Sequence, residues 1–505
     1  MSRISMTLEE VRSYQQEGYR MIPIYTELLS DFITPIELMR KLKAADEHCF
    51  LLESVVNQEV FGRYTFLGYA PKLDLVCTDG RLLVKDTDGT VLEEIEDANP
   101  GDYIRGMMKN YRSPKLKNLP SFTGGLVGYF SYDYIKYSEP RLRKCLDGKK
   151  DDFQDLDLML FDRLIAFDNI GQRMYLIVNV FCGDKKALED SYSEACNELM
   201  KMKKLVEGPA AEQNRQTSGR LLSEFRPYFD EDAFSDMVQK AKHYIYEGDI
   251  FQVVLSNRLE ADFEGSLFDT YRVLRGSNPS PYMFYFSGDQ VEVAGASPET
   301  LVKLENGELH TFPLAGTRPR GSSEEEDRRL EKELLGDEKE RAEHNMLVDL
   351  GRNDLGRISS FGSVTVEHYM DILRYSHVMH IGSTVRGQLK EGLEAIDAVN
   401  AVLPAGTLSG APKIRACEII DELEHSKRGI YGGAIGYLDF TGNLDTCIAI
   451  RIAYKVGTKL YIRSGAGIVA DSVPANEYRE CINKAKAVVR AVEMTKEVIG
   501  DDFAD

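Results

Sequence analysis

The 505-residue chain is 43% apolar and 29% charged, a balance that supplies ample core and excludes extended disorder. Its 62 basic residues against 82 acidic ones leave a net charge of −20, which repels nucleic acid and anionic membrane and counts against both as partners. At roughly 100–200 residues per domain the length suggests two or more domains, or one unusually large one.

The eight cysteines (Cys49, Cys77, Cys145, Cys182, Cys196, Cys417, Cys447 and Cys481) are irregularly spaced and form no C-x-x-C pair, which reads as thiols in a reducing compartment. The first ten residues lack the apolar stretch of a secretory leader, and runs such as 174–182 are too short to span a bilayer, so the expected location is the cytoplasm.

In chain order, residues 34–43 predict a helix; strands follow at 50–56, 64–69, 72–78, 81–85, 125–132, 158–166 and 173–180, then a helix at 186–204. The polar stretch EGPAAEQNRQTSGR (207–220) carries no apolar period and predicts a linker. Beyond it, Asp230, Glu231 and Asp232 open a helix with Phe234, Met237, Val238, Ala241, Tyr244 and Ile245 on one face, ended by Gly248. Further helices are expected at 325–349, 393–402, 411–424 and 475–498. Strands are expected at 253–259, 282–287, 291–297, 309–313, 434–439, 447–456 and 459–464. Runs of strands with single helices between them predict a two-lobed α+β fold of large, mostly antiparallel sheets packed with helices. The expected organisation is an N-terminal region (1–206), a linker (207–222) and a catalytic region (223–505).

Two short motifs mislead. GAGIVA (465–470) matches a dinucleotide-binding fingerprint, but DSVP (471–474) intervenes before the next helix, so no helix N-terminus can meet a pyrophosphate there. Bare backbone N–H groups at these glycines can still face an anion. GTLSG (406–410) is one position off a nucleophile elbow and indicates no hydrolase.

Longer motifs carry a resemblance. In order they are GDIFQVVLS (248–256), NPSPYM (278–283), GASPE (295–299), PLAGTRPRG (313–321), EHNMLVDL (343–350), RND (352–354), HVMH (377–380), PAGTLSGAPK (404–413), and GAG (465–467) with the stretch 477–484. Together they resemble the chorismate-binding enzymes, the family of anthranilate, aminodeoxychorismate, isochorismate and salicylate synthases. LLES (51–54), GRYTF (62–66) and GGLVGY (124–129) resemble the N-terminal part of anthranilate synthase large subunits.

The resemblance implies a Mg²⁺-dependent lyase acting on chorismate. Glu343 and Glu480 would be the metal ligands, with Glu477 nearby, although Glu480 and Lys484 by themselves read as a helix-surface ion pair. Gly316, Thr317, Tyr431, Arg451 and Lys413 would meet substrate, with the backbone of Gly465, Ala466 and Gly467. Arg451 suits a carboxylate because its fork binds two oxygens. Glu299, His380 and Thr317 would act in catalysis, Glu299 as general acid and His380 as a proton handler; His377 reads as structural.

Two positions separate the members. Aminodeoxychorismate synthases usually have a nucleophilic lysine where this chain has Ala315, and the water-adding members a lysine where it has Gln252. Ammonia itself is then the nucleophile, which favours anthranilate synthesis. No glutaminase-type sequence is present, so ammonia is expected from a separate glutamine amidotransferase subunit, in a heterotetramer. Ser54, Pro281, Tyr282 and Met283 match inhibitor contacts and imply an L-tryptophan feedback site. Aminodeoxychorismate synthase component I and a non-catalytic tryptophan sensor stay open as alternatives.

Overall fold

The computed structural model describes residues 4–54, 62–146, 153–183, 186–209, 219–374 and 378–500. Residues 55–56 of the first expected strand, 210–218 of the expected linker, and His377 lie outside them.

Two antiparallel sheets, one of 13 strands and one of 12, stack face to face. Both run across the segment 207–222. In the first sheet Cys49–Glu53 pairs with Tyr282–Ser287, and in the second Gly125–Phe130 pairs with Ala434–Asp439. The architecture is thus α+β with antiparallel sheets. The interior between the sheets is aromatic: Phe122 stacks on Tyr437 at 4.2 Å, and Phe50 meets Phe161 edge-on at 4.7 Å. Truncating one such ring to alanine costs about 3–5 kcal/mol.

Helices cover the outer faces. Pro35–Ala45, Leu188–Glu207, Phe268–Ser277 and the C-terminal helix Pro474–Gly500 pack on the first sheet. Pro100–Lys109, Glu338–Gly356 and Ala395–Val402 pack on the second. Glu231–Tyr246 starts where the acidic run predicts, with Asp230 accepting from Ala233 N at 2.9 Å, and buries Phe234, Met237, Val238 and Ala241. No helix among the described residues is long and apolar enough to cross a membrane.

Three expected elements divide, one of them the strand at 447–456, which becomes Leu444–Ile448 and Ile452–Val456 in different sheets. The single helix at 325–349 is two, Glu324–Gly336 and Glu338–Gly356, because Asp337 Oδ1 accepts from the N–H groups of Lys339 and Glu340 at 3.1 and 3.2 Å and starts a new helix. The strand at 158–166 is also two. Leu156–Phe161 lies in the second sheet and Arg163–Asp168 in the first, so the chain steps between sheets at Asp162.

Candidate active site

Glu299 and Arg451 occupy two further steps of this kind. Glu299 lies between Val291–Ser297 of the first sheet and Thr300–Glu305 of the second; Arg451 lies between Leu444–Ile448 of the second and Ile452–Val456 of the first. The two crossings are bonded together. Ile448 N donates to Glu299 O at 3.0 Å, Ala296 N to Arg451 O at 3.2 Å, and Ser297 Oγ to Ile448 O at 2.6 Å. Arg451 holds a left-handed backbone with φ 53°. Such a conformation costs a non-glycine residue about 1–3 kcal/mol and persists where the surroundings enforce it.

Both side chains line a cavity of about 600 Å³. Burial pushes the Glu299 carboxyl up to about 7, against the opposing pull of a 3.2 Å hydrogen bond donated by Thr407 Oγ1 and of the Arg451 charge. Near neutrality both the protonated and the ionised forms of Glu299 are therefore accessible. Burial lowers Arg451, and the Glu299 charge offsets this. A guanidinium among so few counter-charges is a natural anchor for a substrate carboxylate.

Gly465 and Gly467 present an unpaired strand edge to the same cavity. Lys459–Ile468 pairs with Gln252–Glu264 through Ile468, but with Ile452–Val456 only through Ile462. Beyond Ile462 its second edge faces the cavity. Ser256 N donates to Glu424 and Val254 N to Ser409 O, both away from the glycine strand. In an antiparallel ladder their partners, Gly465 and Gly467, must then also aim their amides away from the shared ladder. Lys484 Nζ, which donates to Gly465 O at 3.2 Å, lies on that outer side. Alternation turns the amide of Ala466 into the ladder, and its side chain is fully buried. A Cβ at Gly465 would come within 2.8 Å of Leu255 O and of the Tyr431 hydroxyl, so only glycine fits. The glycines lie inside a strand rather than in a strand-to-helix turn, which is why a dinucleotide fingerprint fails here.

Gly316, Thr317 and His380 form a neighbouring group. The pairing of Leu314–Pro319 with Val378–Gln388 slips between Ala315 and Arg318, and this bulge exposes Gly316 and Thr317. Gly316 takes φ 66°. His380 Nδ1 lies 2.9 Å from Gly316 O and 3.1 Å from Thr317 Oγ1. A carbonyl accepts only, so this contact favours a hydrogen on Nδ1 and leaves Nε2 the acceptor. Burial lowers His380 and the Arg451 charge adds to this, against the opposing pull of the Gly316 carbonyl, a balance that favours the neutral imidazole. These three residues do not line the cavity itself.

Glu343, Glu477 and Glu480 face the cavity from the helices Glu338–Gly356 and Pro474–Gly500. Burial and the neighbouring Glu340 and Glu480 charges hold Glu343 above the usual carboxylate range, and Glu477 is raised by burial and by Glu480. Glu480 pairs with Lys484 at 2.8 Å. No group of three or more His, Cys, Asp or Glu side chains that could hold a metal ion is assembled among the described residues.

Lys413 is not brought to the cavity. Its Nζ is committed to Asp354 Oδ2 and Val402 O, each at 2.8 Å. Ser54, by contrast, is brought to Tyr282 and Met283, because Glu53 pairs with Met283 in the sheet. The Tyr282 hydroxyl donates to Asp445 Oδ1 at 2.8 Å, and Asn278, three residues before Pro281, lines the cavity. Sequence reasoning missed Thr407 and Lys339. Thr407 lies within a quoted motif but was weighed only as part of a failed elbow; Lys339 sits one helical turn before Glu343, a spacing that puts both on one face.

A cavity with a near-neutral carboxyl, a guanidinium anchor and an open amide edge defines an enzyme for a small, carboxylate-bearing substrate. The chain belongs to the chorismate binding enzyme family, which it matches over residues 47–490. It is 45% identical over 503 residues to the anthranilate synthase component 1 of Aquifex aeolicus, covering 98% of this chain and 99% of that one. To the protein of the same name from Pseudomonas aeruginosa it is 44% identical over 494 residues, 98% of this chain and 100% of that one. The crystal structure of anthranilate synthase component I from Streptococcus pneumoniae superposes with a TM-score of 0.73 at 37% identity, over 91% of this chain and 98% of that one. A menaquinone-specific isochorismate synthase from Escherichia coli shares the fold, with a TM-score of 0.65 at 18% identity over 96% of this chain and 98% of that one.

Proposed function

We propose that this chain is the large subunit of anthranilate synthase, converting chorismate and ammonia to anthranilate and pyruvate at the first step of tryptophan biosynthesis. The observation that carries the reading is the pairing of Glu299 and Arg451 at bonded sheet crossings over one cavity, in a chain alike from end to end to proteins of that name.

Chorismate carries two carboxylates, and an acidic protein must compensate them locally. Arg451 anchors one, and the amides of Gly465 and Gly467 hold the ring edge, with the Tyr431 hydroxyl beside them. Ammonia adds at C2 while the C4 hydroxyl departs with the proton of Glu299, giving water and a Glu299 carboxylate, and the new C2 ammonium gives up one proton, which restores the protonated Glu299. The C2 hydrogen then leaves as a proton, the bond from C3 to the enolpyruvyl oxygen breaks, and the ring becomes aromatic. The released enolpyruvate gains a proton and becomes pyruvate. His380, beside the cavity with its Nδ1 hydrogen on Gly316 O, would handle a proton in this second step once substrate brings the two groups together. Ala315 has no nucleophile and Gln252, which lines the cavity, is a poor base, so neither lysine addition nor water activation competes.

Glu343 and Glu480 fit Mg²⁺, assisted by Glu477. They are oxygen donors facing one cavity, and the burial and the neighbouring Glu340 and Glu480 charges that raise Glu343 are what a divalent cation would relieve. Bound there, Mg²⁺ would supply a Lewis acid that neutralises and orients the substrate carboxylate. Two protein carboxylates are enough for an ion that keeps water and substrate oxygens in its remaining positions.

Ammonia would come from a glutamine amidotransferase subunit, in a heterotetramer in the cytoplasm. L-Tryptophan would inhibit at Ser54, Pro281, Tyr282 and Met283, one sheet pairing away from the cavity. The test is product analysis by fluorescence and mass with chorismate, Mg²⁺ and an ammonium salt. Anthranilate with pyruvate supports the reading. An aminated ring that keeps its enolpyruvyl group, or no turnover, contradicts it.

A further inference from the structure

Behind the glycine strand three ionised side chains lie sealed from water: Glu424 is 0% exposed, Arg428 1% and Arg463 2%. Burying such a set is costly unless every hydrogen-bonding position is filled. Here the carboxylate is saturated. Glu424 Oε1 accepts from Ser256 N at 2.7 Å, from Ser256 Oγ at 3.0 Å and from Arg428 Nη2 at 2.5 Å. Its Oε2 accepts from Arg428 Nε at 2.9 Å and from Arg463 Nη2 at 2.8 Å.

Three further guanidinium bonds go to backbone carbonyls, two of them on residues that line the cavity, and others go to the Ser256 and Ser426 hydroxyls. Arg428 Nη1 donates to Leu408 O and its Nη2 to Val254 O, both at 2.6 Å. Arg463 Nη1 donates to Lys427 O at 2.7 Å and its Nε to Ser256 Oγ at 2.8 Å. Leu408 follows Thr407, the residue that donates to Glu299. Val254 is the ladder partner of Gly467, and Ser256 of Gly465. Arg463 itself lies two residues before Gly465 on the same strand.

A hydrophobic cluster of the same volume would be cheaper to bury. What it could not do is hold three separate backbone segments by directed bonds of fixed length. The triad therefore trades stability for geometry. We infer that Glu424, Arg428 and Arg463 are positioning residues that hold the Thr407–Leu408 turn against Glu299 and set the strand edge at Gly465 and Gly467. With one carboxylate and two guanidinium groups the triad carries a net positive charge behind an edge that meets an anion, which favours carboxylate binding. The inference rests on the cavity being the site proposed above, but its test is chosen to be independent of turnover.

The ionisation of Glu299 reports the contact with Thr407, because that hydrogen bond favours the ionised form. The titration is followed in the intact chain by isotope-edited infrared difference spectroscopy, with Glu299→Gln identifying the Glu299 carboxyl band. Arg428→Lys keeps the charge but cannot bond Glu424, Leu408 O and Val254 O at once. Its expected effect is an upward move of the Glu299 midpoint by about one pH unit, a tenfold gain in proton affinity. In a Thr407→Val background the same substitution is expected to add little further shift, since the coupling runs through Thr407. An unmoved midpoint in folded Arg428→Lys overturns the inference, as does an equal shift with Thr407 absent. Should Arg428→Lys fail to fold, Ser256→Ala decides. It removes one hydroxyl between Glu424 and Arg463, and a smaller shift in the same direction supports the inference while an unchanged midpoint overturns it. If the wild-type chain makes no anthranilate yet the midpoint moves as stated, the functional reading fails and the positioning role stands.

Discussion

Thr407 Oγ1 donates to Glu299 Oε1 across 3.2 Å, a hydrogen bond that, with the Arg451 charge, steadies a carboxylate otherwise destabilised by burial. The competition leaves Glu299 at about 7. As a general acid it works only while protonated, so kcat/KM falls as pH rises through about 7. Glu299→Gln is expected to lower kcat by about 10²–10⁴-fold with little change in KM. The check is a pH series of anthranilate formation with ammonium salt, corrected for the free ammonia present at each pH. A flat corrected profile between pH 6 and pH 8.5 would remove Glu299 from this role.

The same shift makes a statement about stability. The folded chain binds this proton more tightly than the unfolded chain, whose carboxyl lies near 4.5. The contribution is therefore complete below about 4.5, declines as pH rises and is lost above about 7. Glu299→Gln abolishes the cost of burying the ionised form. It should melt above the wild type at pH 8, with the gap closing at pH 5, as thermal scans at the two pH values would reveal.

Gly465→Ala forces a methyl group to within 2.8 Å of both Leu255 O and the Tyr431 hydroxyl. The strand must shift and its outward amide with it. KM for chorismate should rise by about tenfold or more, because one hydrogen bond to a charged group is worth about 1.5–3 kcal/mol. Steady-state kinetics on the folded variant settle it, and an unchanged KM would show that the substrate does not use this edge.

Glu480→Ala should raise the Mg²⁺ concentration for half-maximal activity by at least about tenfold, the effect expected on losing one hard oxygen ligand. A chelator should silence the wild type. Full activity of Glu480→Ala at the wild-type Mg²⁺ requirement would leave Glu480 as no more than the partner of Lys484.

L-Tryptophan in excess should inhibit turnover and raise Tm, since a ligand that binds only the folded state stabilises it by mass action. Met283→Ala should weaken both effects together. Neither effect in the wild type would place regulation elsewhere.

What could be read from sequence was local. The helix capped by Asp230 declares itself by three acids and a period of 3.6, and the strands at 125–130 and 434–439 by continuous apolar runs. The break at Asp337 was hidden, because the residues on both sides are good helix formers and only the cap bonds to Lys339 and Glu340 reveal the new start. The hairpin Thr365–Arg374 with Val378–Gln388 was missed; its first strand is largely exposed and mixes polar with apolar residues without a clear alternation. At the cavity, residue types pointed to Glu299, Arg451, Glu343 and Glu480. Nothing local could show that Lys413 would be spent on Asp354 and Val402, or that Thr407 would reach across 108 positions of sequence to Glu299.

The pairing of Cys49–Glu53 with Tyr282–Ser287, and of Gly125–Phe130 with Ala434–Asp439, bears on how the chain is made. During synthesis the N-terminal strands of both sheets emerge first, each with a bare edge whose partner has not yet been translated. At roughly 5–20 residues per second the second sheet waits tens of seconds for Ala434–Asp439. Until its partner is made each edge keeps a row of unsatisfied backbone groups open to any passing β-strand, the first sheet until Tyr282–Ser287 and the second until the last third of the chain leaves the ribosome.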